Sequence, residues 1–320
     1  MICAFIAEHR ARFGVVPICR VLCEHGCQIA PRTFYAWLSR TPSARALWDM
    51  AITEVLAGFY EPDRAGRRPP ESLYGAVKMW AHLRRQGIEV ARCTVERLMK
   101  ANGWSGVRRR KKVRTTIADP AAGRAPDLVD RQFGVDAPSV LLVADFTYVP
   151  LVGGSFVYTA FAIDAYAGRI VGWECATTKA DAFVRTTITA AAALRAREGN
   201  PLSGNTIHHS DAGSQYTSVR FGETLALSGL VASIGSVGDA FDNALAETTI
   251  GLYKTEAIRD DSPFRTGPLR RLADVEALTA AWVHWYNTSR LMHRLGRIPP
   301  IEYEQAYYAR DTAQSAAAHT

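Results

Sequence analysis

The stretch Ser139–Pro150, SVLLVADFTYVP, is a nearly continuous run of β-prone residues with one carboxylate, Asp145, set inside it. Branched and aromatic side chains suit a pleated, half-buried surface, whereas aspartate is depleted in strands. An ionised carboxylate between Leu141, Leu142, Val143, Ala144 and Phe146 is expensive to bury unless a cation or a donor meets it. The run therefore predicts a strand that carries an acid in need of a partner. A structural salt bridge is the plainer account of Asp145, and the rest of the chain decides between the two.

Downstream, 155–166 (SFVYTAFAIDAY) and 169–178 (RIVGWECATT) repeat the strand pattern with only short turns between. A long helix is expected over 180–198, then a strand over 205–210, a helix over 217–229, a short strand over 231–234 and a helix over 240–258. Three adjacent strands followed by alternating helices and strands describe a mixed sheet covered on both faces. The expected class is α/β.

Upstream the chain changes character. Segment 117–127 (IADPAAGRAPD) reads as a domain boundary, and just before it Arg108–Arg114 places six positive charges in seven positions. Arg108, Arg109, Arg110, Lys111, Lys112 and Arg114 repel one another and stay extended unless they lie along phosphates. Ahead of them, 74–87 (YGAVKMWAHLRRQG) and 89–104 (EVARCTVERLMKANGW) predict two helices closed by a turn at Gly87. Tyr74, Val77, Trp80 and Leu83 form one apolar stripe; Val95, Leu98 and Met99 form the other. Arg92, Arg97 and Lys100 occupy the exposed face of the second helix, as solvated residues or as DNA contacts. A similar pair, 17–26 and 30–40, turns at Gly26, with Pro17 and Pro31 in first-turn positions.

Charge follows the same division. Residues 1–125 hold 22 Lys and Arg against 10 Asp and Glu, whereas the remainder hold 16 against 21, within a total of +7. A basic front half joined to an acidic back half suggests a polyanion-binding module coupled to something that needs carboxylates. Of the six cysteines, Cys19, Cys23 and Cys27 recur at helical spacing, which favours the buried face of a helix over a zinc site with His25. The apolar runs are too short for a membrane span, and Glu8 interrupts the N-terminus too early for a secretory signal. A cytoplasmic, nucleoid-associated protein without a membrane partner is expected.

Two further acids then stand out. Asp211, in 207–218 (IHHSDAGSQYTS), follows the strand after the long helix, where ligands collect at the carboxyl ends of open sheets, although Asp-x-Gly is also ordinary turn chemistry. Glu247 lies on the helix begun by Asp242 and Asn243, and its spacing lets Thr248, Gly251 and Lys254 share its face. Taken singly, Glu247 is an exposed residue of an amphipathic helix. Sixty-five residues separate Asp145 from Asp211, and 35 separate Asp211 from Glu247.

With that spacing the chain resembles the DDE transposases and integrases, above all the insertion-sequence transposases encoded by a second open reading frame, usually called OrfB. VADFTYVP resembles the family's first-Asp strand, 156–173 the hairpin after it, 207–218 the second-Asp motif and 242–256 the Glu helix. WYNTSRLMHRLGRIPPIEYE, 285–304, looks like the C-terminal signature, and 74–106 like the helix-turn-helix region upstream of the core. Ala212 stands where such proteins often carry Arg, and Met292 occupies the usual place of His293.

The resemblance implies a ribonuclease-H-like mixed sheet flanked by helices, preceded by an all-α helix-turn-helix region. It implies metal-dependent cleavage of DNA ends and strand transfer, with Asp145, Asp211 and Glu247 as catalytic and metal-binding residues holding Mg2+ or Mn2+, two ions in all. Lys254 would contact DNA beside the scissile bond, and Gly235 and Gly238 would let Glu247 swing into alignment once metal and DNA are bound. The implied partners are element ends and target DNA, a further copy of the chain, and a fused or bound upstream-frame protein, because the chain starts at Met1 without that frame.

The domains so read are 1–60 and 61–115, both helix-turn-helix-like, a linker 116–135, a catalytic core 136–260 and a helical region 261–320. In that last region Trp282, Trp285 and Tyr286 form a stripe that favours core packing, leaving Arg290, Arg294 and Arg297 for DNA or subunit contacts. Two rival functions are a ribonuclease-H-like nuclease or resolvase that cuts without joining, and a non-catalytic DNA-binding regulator derived from a transposase.

Overall fold

A computed structural model describes residues 1–108, 128–129, 134–211, 215–216, 218–234 and 243–318. Arg109, Arg110, Lys111, Lys112, Arg114, Ala212, Gly235, Gly238 and Asp242, singled out above, lie outside the described residues. The chain divides into two compact units, Met1–Ala57 and Gly58–Thr320.

The first unit contains helices α1 (Ile2–Phe13), α2 (Val15–Glu24) and α3 (Pro31–Leu38), and most of α4 (Ala44–Tyr60). Ile6, Val15, Ile18, Cys19 and Phe34 form its core. Pro31 opens α3, where its missing N–H costs no intrahelical bond. One expectation needs correction. Because α2 ends at Glu24, only Cys19 lies on its buried face, and Cys27 is exposed beyond the turn, where the helical spacing no longer applies.

The second unit begins with helices α5 (Ala76–Arg85) and α6 (Arg92–Ala101), with Gly87 between them at φ +80°. Tyr74, Met79 and Leu83 are buried ahead of the turn, and Val95, Leu98 and Met99 after it. Met79 takes the position expected of Val77 and Trp80, which are half-buried. Trp80 sits at the edge because its indole N–H donates to Val90 O, 2.9 Å away.

The sheet comprises β1 (Leu141–Pro150), β2 (Phe156–Asp164), β3 (Arg169–Ala176), β4 (Thr206–Ser210) and β5 (Leu230–Ile234), in the order β3-β2-β1-β4-β5. The first three strands form an antiparallel meander, while β4 runs parallel to β1 and β5 parallel to β4. On one face Leu142, Ala144, Ala160, Ala162 and Val171 meet α7 (Asp181–Arg197) and α8 (Val219–Leu227) through Phe183, Val184, Ile188, Phe221 and Leu225. Gly172 permits this approach: a Cβ there would stand 2.3 Å from Thr187 O. The opposite face carries Phe161, whose ring lies 5.0 Å from Tyr253 of α9 (Ala244–Tyr253) and 5.9 Å from Trp282 of α10 (Leu272–Thr288). The result is the expected ribonuclease-H-like mixed sheet with helices on both faces.

Helix α9 runs on into a π-helical turn, Lys254–Ile258, and the chain closes with α11 (Pro300–Ala318). Trp282, Trp285 and Tyr286 are all buried, as their spacing indicated. A charged cluster fastens α11 to the sheet: Arg195 donates to Asp164 at 2.6 Å and to Glu304, while Arg169 reaches Glu304 at 2.8 Å. None of the described helices is long and apolar enough to cross a membrane.

Candidate active site

Parallel pairing of β1 with β4 sets the geometry of the first two acids. Ala144 is level with Ser210 at the end of the paired register, so Asp145 and Asp211 each stand one residue further on, side by side at the carboxyl end of β4. Neighbouring strands lie about 4.8 Å apart, which puts the two Cα atoms within reach of one shared ligand. Both acids are half-buried, and Asp145 Oδ1 accepts from its neighbour's amide, Phe146 N, at 2.7 Å.

Tyr216, which the sequence reading quoted without a role, lies against this pair. Its ring is buried among Phe146, His208 and Phe221, and its hydroxyl has no hydrogen-bond partner. Burial first, and then the charges of Asp145 and Asp211, hold that phenol well above its usual pKa. One buried hydroxyl therefore senses both carboxylates.

Glu247 occupies the first turn of α9 and is half-buried. The start of that helix is tied to the sheet beside Asp145, because Asn243 donates its side-chain N–H to Ala144 O at 3.0 Å. Among the described residues, no group of three His, Cys, Asp or Glu side chains is gathered closely enough to hold a metal ion. The register of β1 with β4 brings Asp145 and Asp211 level. Lys254 follows the last residue of α9, exposed, with its ammonium 5.1 Å from the centre of the Tyr148 ring.

His208, also without a role in the sequence reading, is buried on β4 with Nε2 unpartnered, and burial, aided by the neighbouring His209, lowers its pKa to about 3. Since the folded state then binds fewer protons than the unfolded one between about 3 and 6.5, stability falls as pH drops through that window. His208→Leu is expected to flatten the acid limb of urea unfolding by up to about 1.4 kcal/mol per pH unit. An unchanged difference between parent and variant across that range would contradict the assignment.

The DNA-binding candidates are distributed unevenly. Arg92, Arg97 and Arg108 are exposed, and Arg92 pairs with Glu96 at 3.3 Å. Arg108 and Lys100 border a groove of about 410 Å³ that also contains Trp104 and Gly106. Arg290 must be corrected: it is buried, donating to Glu256 of the π-helical turn at 2.7 Å, and offers nothing to DNA. Arg294, largely exposed, donates to Tyr166 O. Arg290, Arg294 and Arg297 were all expected to offer DNA or subunit contacts, whereas Glu256, 34 residues before Arg290, claims the first of them.

Comparison with known proteins identifies the family of the chain. Residues 135–240 and 228–300 match models of the integrase core domain, and 64–112 match an HTH-like domain. Together fold and domains define an integrase-core polynucleotidyl transferase with a helical DNA-binding type of domain ahead of it. The transposase for insertion sequence element IS629 of Shigella sonnei is 43% identical over 305 residues, 94% of each chain. The corresponding protein of element IS986/IS6110 in Mycobacterium tuberculosis is 50% identical over 281 residues, 88% of this chain and 96% of that one. The chain belongs to the family of insertion-sequence transposases. Its fold is also similar to a simian T-cell lymphotropic virus intasome chain (TM-score 0.44, 14% identity, 74% of each chain). The HTLV-2 integrase catalytic core solved with magnesium gives a TM-score of 0.39 at 18% identity, over 53% of this chain and 99% of that one.

Proposed function

We propose that the chain is a DDE transposase that cleaves the ends of its element and joins them to target DNA, with Asp145, Asp211 and Glu247 as the reacting carboxylates. The observation that carries this reading is the level placement of Asp145 and Asp211 on parallel neighbours, beneath one unpartnered buried hydroxyl. Hard carboxylate oxygens suit Mg2+ or Mn2+, and the orphaned Tyr216 hydroxyl suits a site that gains a polar occupant. Two such ions, when bound, would supply Lewis-acid activation of the attacking oxygen and charge neutralisation at the leaving one.

The chain's own residues do the rest. Asp145 and Asp211 bind from the sheet, and Glu247 completes the set from α9, whose start Asn243 holds beside Asp145. Lys254 steadies the phosphate next to the scissile bond. Water first breaks a phosphodiester at the element end and releases a 3′-hydroxyl. That hydroxyl then attacks a target phosphorus and displaces a target 3′-oxygen, so the number of phosphodiesters is conserved in the joining step and no nucleotide is consumed. Arg92, Arg97 and the basic run from Arg108 to Arg114 track the DNA backbone. Pairing two ends calls for a further copy of the chain on DNA, with an upstream-frame protein as an additional partner.

A pre-cut duplex carrying the element's own terminal sequence tests this directly. With Mn2+ the chain should yield a joined product longer than either substrate. Hydrolysed product alone would replace the proposal with a nuclease that does not join.

A further inference from the structure

The turn that follows α10 brings cations together with those of α5 without enough acid to balance them. Arg297 and Arg84 both place their guanidinium carbons against the Trp80 indole, 5.6 and 5.7 Å from its centre. Lys78, also on α5, lies 5.6 Å over the Tyr74 ring. Lys78, Arg297 and the buried Arg290 all act electrostatically on the exposed His293. Of the neighbouring acids, Glu256 is engaged by Arg290 and Glu302 by Arg85, while Glu71 accepts from the Trp285 indole N–H.

Arg297 itself is held in an unusual state. Its φ of +66° makes it one of two non-glycine residues in the left-handed region among those described, and its Nε is buried without a hydrogen-bond partner. Such backbone strain costs on the order of 1–3 kcal/mol and persists where the surrounding structure, or a ligand, makes use of it. Burial and the crowd of like charges hold Lys78 down to about 8 and His293 below its ordinary value. An anion would relieve both the crowding and the orphaned donor.

We propose that Lys78, Arg84, His293 and Arg297, two of them held over Trp80 and Lys78 over Tyr74, form a binding site for a DNA backbone phosphate, separate from the carboxylates and shared between the HTH-like domain and the C-terminal motif. Trp80 is suited to the platform, because its own N–H is fixed to Val90 O and its ring cannot turn away. The guanidinium of Arg297 lies over the indole, 5.6 Å from its centre, and its planar fork is the shape that phosphate oxygens accept from. The DNA-joining reading supplies only the identity of the polyanion.

The test is binding of the full chain to a fluorescein-labelled duplex of arbitrary sequence, in chelator, followed by anisotropy across a salt series. Arg297→Gly and Lys78→Gln should each weaken binding several-fold and reduce the slope of log K against log salt by about 0.9, the loss of one phosphate contact. Glycine adopts the left-handed backbone freely, so Arg297→Gly should keep the parent's melting temperature. Parental affinity and slope in both variants would overturn the site. So would weaker binding with an unchanged slope and a lowered melting temperature, which would mark Arg297 as a packing residue. No metal is present, so failure of the carboxylate chemistry leaves this measurement intact.

Discussion

Asp145→Asn is expected to lower strand transfer on the order of 10³-fold or more while leaving duplex binding at the parental level. The amide has the shape of the acid and can still accept from Phe146 N, so β1 and its antiparallel register with β2 have no reason to change. What disappears is a hard, charged oxygen beside Asp211. Asp211→Asn should behave alike, since the two acids occupy equivalent positions on neighbouring strands, whereas Lys254→Ala should lose less because its ammonium neutralises charge without holding an ion. Anisotropy measures binding and a gel of the joined product measures transfer, in the same preparation. Retention of joining in Asp145→Asn would remove the carboxylate trio from the mechanism. Loss of binding together with joining would instead point to a misfolded chain, and the melting curve separates the two.

Much of the fold could be read because its signals are local. Branched and aromatic runs separated by short turns marked β1, β2 and β3, and the alanine-rich run with apolar spacing marked α7. Sheet order is different, because the parallel partnership of β1 with β4 links residues 66 apart in register and leaves no trace in either segment alone. The likeness of motifs in order supplied that information, and hence the idea that Asp145 and Asp211 are neighbours. Where no motif helped, distant partners went unseen. Arg290 stood among the candidates for DNA or subunit contacts because its partner is distant in sequence: Glu256, which pairs with it, belongs to the extension of α9. Cys27 kept the spacing of a helix that had already ended. The hydroxyl of Tyr216 is in the quoted motif, yet its significance is that nothing pairs with it, a property of the packing around it rather than of any spacing.

Arg195→Met is expected to destabilise the second unit by about 3–5 kcal/mol, the cost of leaving a buried charge without its counterion. Arg195 and Asp164 both have 0% side-chain exposure and meet at 2.6 Å. Glu304 keeps Arg169 when Arg195 is removed, so Asp164 is the group left exposed to the full desolvation cost, with only the amides of Ser139 and Tyr166 still donating to it. Burial already raises Asp164 above its ordinary 3.8, against the opposing pull of Arg195, and deleting that pull raises it further. A carboxyl whose folded value lies above its unfolded one is penalised in full above the folded value and is relieved as pH falls through it. The gap between variant and parent should therefore narrow on acidification, whereas a simple loss of packing would leave it independent of pH. Asp164→Leu combined with Arg195→Met provides the decisive comparison, because a buried ion pair replaced whole by apolar side chains is often neutral or stabilising by about 1–4 kcal/mol. Urea unfolding of the two variants should place the double variant closer to the parent than the single one. A double variant as unstable as Arg195→Met would show that the guanidinium holds α7 to α11 through Glu304, not through neutralising Asp164.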